Sequence, residues 1–147
     1  MSSHYLDYQF GFPEIIPSSN RHKQSFHAFN GLISKAINSG LPDVDLFPTT
    51  NPVLIIILQF FKFQTEYDRR DVDNMSKTML DTLKGKLFND DVQVKTLIVS
   101  KHVERRIPEN FIFVGIKITT TDQDTGMIQA NKAEAIALYK QSKPTEA

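Results

Sequence analysis

The stretch from Val53 to Phe63 constrains this chain more than any other. Val53 to Leu58 is uninterrupted aliphatic sequence, and Phe60 and Phe61 extend it. A helix crossing a bilayer needs about 20 apolar residues, so the run is far too short to span a membrane. It also lacks the alternation of a strand with one wet face. Its β-branched and aromatic content reads as a strand buried on both faces.

The segments around it read as a mixture of helices and strands. Tyr8 to Phe12 alternates as a short strand, followed by the turn-forming Pro17-Ser18-Ser19-Asn20-Arg21. Ser25 to Ser39 has helical spacing, with Phe26, Phe29, Ile33, Ala36 and Ile37 on one face and Gly40 and Pro42 as stops. A polar loop with Pro42 and Pro48 leads into the apolar strand, and Thr65 to Arg70 is a charged, exposed connection. A second helix runs from about Asn74 to Lys84 on the stripe Met75, Met79, Leu80 and Leu83, and Gly85 ends it. Val92 to Lys101 and Phe111 to Thr119 read as strands, and the basic connection His102 to Pro108 between them reads as a hairpin. Thr125 to Gln141 is an alanine-rich terminal helix. The expectation is a single α+β domain, a mixed sheet of about four strands with two or three helices packed on it. Residues 1–121 form this domain, and residues 122–147 form a C-terminal helical extension and tail.

Composition excludes several classes. At 147 residues, 40% apolar and 23% charged, the chain has the profile of a globular domain. It has no cysteine, so disulfides and cysteine-ligated zinc are excluded, and a reducing compartment such as the cytoplasm fits. Met1 to Tyr8 does not read as a secretory leader. A formal net charge of zero lacks the basic footprint usual in nucleic-acid binding. Between Lys62 and Arg106, however, ten basic residues face eight acidic ones. If several of those acids surround a divalent cation, the remaining surface is basic.

The most informative residues lie in that interval. Arg69-Arg70-Asp71-Val72-Asp73-Asn74 precedes the second helix, with Lys77 one turn along it, and Asn89-Asp90-Asp91 precedes a strand. Two carboxylates at i and i+2 on extended chain point the same way. An oxygen-rich cluster of this kind suits Mg²⁺, which activates water and neutralises charge on a phosphodiester. Each acid also has an ordinary structural role. Asp71 or Asp73 can cap the helix, and Asn89-Asp90-Asp91 can form a turn. Lys77 can be a solvated i,i+4 partner for Asp73 or Asp81. Arg69 and Arg70 can hold phosphates or solubilise a loop, while Lys84, Lys86 and Lys95 read as plain surface charge. His4, His22, His27 and His102 lack metal-ligand spacing, and no serine sits in a nucleophile-elbow context.

Taken together, these residues resemble a family signature. Asp71-Val72-Asp73-Asn74-Met75-Ser76-Lys77, Asp81-Thr82-Leu83 and Asp90-Asp91-Val92-Gln93-Val94 are similar to the RusA-type Holliday-junction resolvases. That signature runs Asp-x-Asp-Asn-x-x-Lys, Asp-x-Leu, Asp-Asp-x-Gln-Val. Lys101 and the turn at Pro17 to Arg21 match as well, and the resemblance covers roughly residues 8 to 119. It implies a homodimeric, Mg²⁺-dependent, structure-selective endodeoxyribonuclease, often encoded by phages or prophages, that places paired nicks in four-way junctions during recombination and repair. It puts Asp71, Asp73 and Asp91 on the metal-binding aspartates and Lys77 on the catalytic lysine, with Asp90 in a supporting place beside Asp91. Arg69, Arg70, Lys101, Arg105 and Arg106 are then the candidates for DNA phosphates. The chain departs from the family in its C-terminal helix and its neutral charge balance.

Three other readings stay open at this level. One is a catalytically silent DNA-binding module that keeps the fold. Another is a nuclease acting on flaps or single strands. The third is an unrelated α+β interaction protein whose acids are only caps and turns.

Overall fold

The computed structural model places the aliphatic run at the second-last position of a five-stranded sheet, flanked on both sides. Residues 5–18, 23–38, 41–42, 46–119 and 126–143 are described. In chain order the elements are β1 (Tyr8–Phe12), α1 (Lys23–Ile37), β2 (Leu41–Pro42), β3 (Val53–Phe60), α2 (Gln64–Arg69), α3 (Val72–Leu83), β4 (Val94–His102), β5 (Phe111–Ile118) and α4 (Gly126–Ser142). The sheet order is β2-β1-β5-β3-β4. β3 pairs antiparallel with β5 and parallel with β4, so the sheet is mixed and the fold is α+β as expected. No described helix is long and apolar enough to cross a membrane.

One local expectation is corrected. β4 and β5 do not form a hairpin, because β3 lies between them. β3 leads through α2 and α3 into β4, a β-α-β crossover that makes β4 its parallel neighbour. The connection after β4 must then pass over β3 to reach β5. This arrangement gives the most apolar strand a partner on either side and leaves β4 at the edge.

One face of the sheet carries the core. Tyr8, Phe10 and Phe12 of β1, Val53, Ile55 and Ile57 of β3, and Ile112, Val114 and Ile116 of β5 are buried in one cluster. Phe29, Ile33, Ala36 and Ile37 of α1 pack on them, with Met75, Met79 and Leu83 of α3. Both helices therefore present the stripes their spacing predicted, except that Phe26 stays 38% exposed. After α3, Gly85 adopts φ +85°, a conformation that costs glycine little, and turns the chain back. Leu87 and Phe88 then bury themselves completely, and Phe88 bridges to Thr49 just ahead of β3.

The two ends of the sheet are consequently distinct. Val53, Val94, Ile118 and Tyr8 mark one end. Phe60, His102, Phe111 and Phe12 mark the other, the carboxyl end of the parallel pair β3 and β4.

Candidate functional site

Asp71 and Asp73 lie at the carboxyl end of the parallel pair. Arg70 and Asp71 are extended, and α3 begins immediately after them. Asp71 is the N-cap, its Oδ1 accepting the Asp73 N–H at 2.9 Å. The cap seats the Asp71 carboxylate over the first turn, beside Asp73. Both residues are exposed, and the second oxygen of Asp71 and both of Asp73 remain open. The helix N-terminus favours their negative charge. Lys77 is exposed one turn along α3 and makes no hydrogen bond or ion pair among the described residues.

This end is tied together by a polar framework that is buried only at Gln59. The Lys101 ammonium, at the end of β4, donates to the carbonyls of Tyr67 at 2.7 Å and Arg70 at 2.8 Å. It also lies 4.3 Å from the centre of the Tyr67 ring. Lys101 thus fixes the α2–α3 junction from which Asp71 projects, and its charge is turned inward. Arg70 reaches back to Ser18, its Nη1 donating to Oγ at 2.9 Å. Ser18 is the last described residue of the early turn, and Ser19 to Arg21 lie outside the described residues. Gln59, fully buried on β3, donates to the carbonyls of Glu14, Phe60 and Phe111 and accepts the Ile16 N–H at 2.8 Å. Gln59 was not singled out in the sequence. Its signal is a lone amide inside an aliphatic run, which needs partners when buried.

Cationic residues follow the elements that finish at this end, Arg69 closing α2 and Arg105 and Arg106 lying just after β4. Arg69 and Arg105 are exposed. Arg106 is held by Glu104, Nε to Oε1 at 2.8 Å and Nη2 to Oε2 at 3.1 Å. The Arg106 hydrogen bonds pull the Glu104 carboxyl down to about 2, and the carboxylate in turn raises Arg106. Arg106 is therefore a compensated charge at any physiological pH.

Asp91 and Asp90 occupy the opposite end of the sheet. Asp90 caps a 3₁₀ turn, Asp91–Gln93, through its Oδ1 to the Val92 N–H at 3.2 Å. Gln93 accepts from the Asn89 and Asp90 N–H groups and donates to the carbonyls of Thr49 and Asn51. The turn is thereby clipped to the chain entering β3. Asp91 itself is exposed. β4 runs from Val94 beside this turn to Lys101 beside Arg70, and α3 runs back along it. At strand and helix rises, Asp91 stands roughly 20 Å from Asp71 and Asp73. Within one chain the three carboxylates form two groups, and among the described residues no three acidic or histidine side chains gather as a metal-holding set.

Asp71 and Asp73 nonetheless suit a hard cation. Mg²⁺ is commonly held by one or two carboxylates and keeps several of its waters. The pair offers three open carboxylate oxygens on an exposed, pre-capped turn, which meets that requirement without Asp91.

Comparison with known proteins adds a family match. A family model described as Endodeoxyribonuclease RusA matches residues 22–117. No curated protein matches the chain. A solved structure, the periplasmic domain of Helicobacter pylori MotB, aligns over 97% of this chain and 98% of its own. It does so at 15% identity with a TM-score of 0.40, too slight a likeness to carry an argument.

Proposed function

The chain belongs to the RusA endodeoxyribonuclease family, which acts on Holliday-junction DNA, and from that premise we propose that it is a Mg²⁺-dependent resolvase that nicks four-way junctions in pairs. The observation that carries this reading is the capped Asp71–Asp73 pair at the carboxyl end of β3 and β4, with Lys77 one turn away on α3. The carboxyl end of parallel strands is where open sheets bind ligands, because helix N-termini converge there.

Asp71 and Asp73 would hold the cation, which when bound activates water and neutralises phosphate charge. The protein's own groups do the rest. The Asp71 cap fixes the carboxylate pair before DNA arrives, so no reorganisation is needed at the moment of reaction. Lys77 donates to a non-bridging oxygen as negative charge grows on it. Arg69, Arg70 and Arg105 hold flanking phosphates. Lys101 holds the α2–α3 junction in place. The overall step is hydrolysis: a water oxygen bonds to phosphorus, one P–O ester bond breaks, and one strand leaves as a hydroxyl end and the other as a phosphate end.

Asp91 enters this scheme through a second copy. It is too far from Asp71 to serve the same cation within its own chain. A two-fold dimer repeats every group, and so can set Asp91 of one copy beside Asp71 and Asp73 of the other. The dimer also supplies the two symmetric nicks that resolution requires.

The test is a nicking assay on four-way, flap, single-stranded and linear DNA, with and without Mg²⁺. Paired nicks confined to the four-way substrate and dependent on Mg²⁺ are expected. Binding without cleavage would instead identify a silent DNA-binding module, and preferred cutting of flaps or single strands would move the substrate while keeping the chemistry.

A further inference from the structure

After β1 the chain leaves the sheet, and residues 13–18 are irregular, with no strand ladder to take up their backbone groups. Backbone polar groups that are buried need partners. Gln59 supplies them from β3. Its Oε1 accepts the Ile16 N–H at 2.8 Å, and its Nε2 donates to the Glu14 carbonyl at 3.0 Å. The side-chain amide thus stands in for a neighbouring peptide unit. Ile16, fully buried in the core cluster, seats the same segment through its side chain. Ser18 follows two residues later.

Gln59 and Lys101 are partners in the register of the parallel pair, side by side at its carboxyl end. Gln59 grips the chain at Glu14 and Ile16, and Lys101 grips the carbonyls of Tyr67 and Arg70. The two gripped segments meet where Arg70 Nη1 donates to Ser18 Oγ at 2.9 Å. A closed polar ring results, running from Gln59 through Ile16 to Ser18, across to Arg70, and back through Lys101. Arg70 is held twice, its backbone by Lys101 and its side chain by Ser18. It is half-buried, whereas its neighbour Arg69 is exposed. The Ser18–Arg70 bond itself lies at the surface, where a single side-chain contact adds little to stability. What it does fix is a long side chain with many rotamers.

We propose that Gln59 is a positioning residue for DNA binding: acting through Ser18, it holds the Arg70 guanidinium ready for a backbone phosphate. The rest of the guanidinium fork bonds to no described residue, which leaves it open to phosphate oxygens. Holding a rotamer-rich side chain in its bound geometry removes the cost of ordering it from the binding step. Arg70 immediately precedes the Asp71 cap, so the same ring keeps this phosphate contact in register with the carboxylate pair. The inference rests on the nuclease reading for its ligand, the phosphate, and on the ring alone for the ordered Arg70.

Two measurements on the full-length chain test it. The first needs no DNA and follows ¹⁵N relaxation of the arginine Nε–H groups. Arg70 should be rigid in the wild type and in Ser18→Thr, which keeps the hydroxyl, and should average freely in Ser18→Ala and Gln59→Met. The second is binding of a fluorescent four-way junction without Mg²⁺, and nicking of it with Mg²⁺. Ser18→Ala should raise Kd and KM about three- to tenfold at unchanged kcat and Tm, the effect of ordering one long side chain on binding, with Ser18→Thr near wild type. Gln59→Met should raise Kd by a similar factor and also lower Tm, since it strips a buried network. In an Arg70→Ala background neither substitution should weaken binding further. Gln59→Asn, whose shorter amide does not span the same partners, replaces Gln59→Met if the latter does not fold. A wild-type Arg70 as mobile as Arg69 overturns the proposal. So does a loss of binding that persists without Arg70, which would make Gln59 a purely structural residue. A rigid Arg70 in a wild type that neither binds nor cuts junctions overturns the nuclease reading and, with it, the phosphate as ligand.

Discussion

Asp71 has one observed role, the cap, and one proposed role, cation binding, and substitution can separate them. Its Oδ1 caps α3 through the Asp73 N–H, and its other oxygen is open to a cation. Asparagine is as good a cap as aspartate, whereas alanine is not. Asp71→Asn is therefore expected to keep the melting temperature and abolish cleavage, with junction binding intact or stronger for the loss of a charge near phosphates. Asp71→Ala should lose cleavage as well and cost about 1 kcal/mol of stability, roughly 3–5 °C in Tm. Calorimetry and nicking on the two variants check this; equal destabilisation by both would show that the cap is not what the side chain supports. Glu104 yields a second test at this scale. Its folded pKa of about 2 lies below the ordinary 4.5, so the stability from its pairing with Arg106 is present above pH 4.5 and is lost as pH falls toward 2. Near neutrality the pair is closed, so a DNA phosphate would have to compete with Glu104 for Arg106. Glu104→Gln should free it, raise junction affinity several-fold and steepen the log–log salt dependence by about 0.9. An unchanged salt slope would place Arg106 away from the DNA path.

Among the elements, α3 carries the residues proposed for the chemistry, and its neighbours hold it in place. Lys77 projects from α3 into solvent without a partner among the described residues, so truncation should leave folding alone. Lys77→Ala is expected to slow cleavage about 10²–10³-fold at constant Tm, the effect of losing one positioned donor. A fully active variant would make Lys77 an ordinary surface charge. Lys101 should behave in the opposite way. Lys101→Met leaves the carbonyls of Tyr67 and Arg70 without their donor and removes the cation from the Tyr67 ring. The expected cost is about 2 kcal/mol in denaturant unfolding, with cleavage reduced through misplacement of Asp71. These contrasting lysines mark what the sequence could reveal. The helices α1 and α3, strands β1 and β5, and the Asp71 cap were legible because periodicity and capping are local. α2 was not, since Gln64-Thr65-Glu66-Tyr67-Asp68-Arg69 has no apolar stripe and buries none of its residues. The inward turn of Lys101 was equally hidden, because its partners lie 31 and 34 residues away. The supposed β4–β5 hairpin failed for the same reason: a connecting loop does not record that a third strand lies between its ends.

For the molecule as a whole, the decisive quantity is the separation of the carboxylates. The motif order Asp71, Asp73, Asp91 was plain in the sequence, but their spatial grouping depends on β4 running parallel to β3 and on α3 returning along it. That topology sends Asp91 roughly a helix length away from the other two. If Asp91 serves catalysis, it must do so at a centre built by two copies, and complementation can decide the matter. In a mixed dimer of one Asp71→Asn copy and one Asp91→Asn copy, a centre shared between copies is reassembled once. The Asp71 of the second copy meets the Asp91 of the first, while the other centre carries both lesions. Each homodimer should be inactive, and the mixture should recover nicking at one strand per junction, up to half of it as mixed dimers if exchange is random. If all three aspartates worked within one chain, both centres of the mixed dimer would contain a lesion, and mixing would restore nothing. Counting nicked and linear products from a cruciform plasmid distinguishes the outcomes, because one active centre gives nicked circles where two give linear DNA.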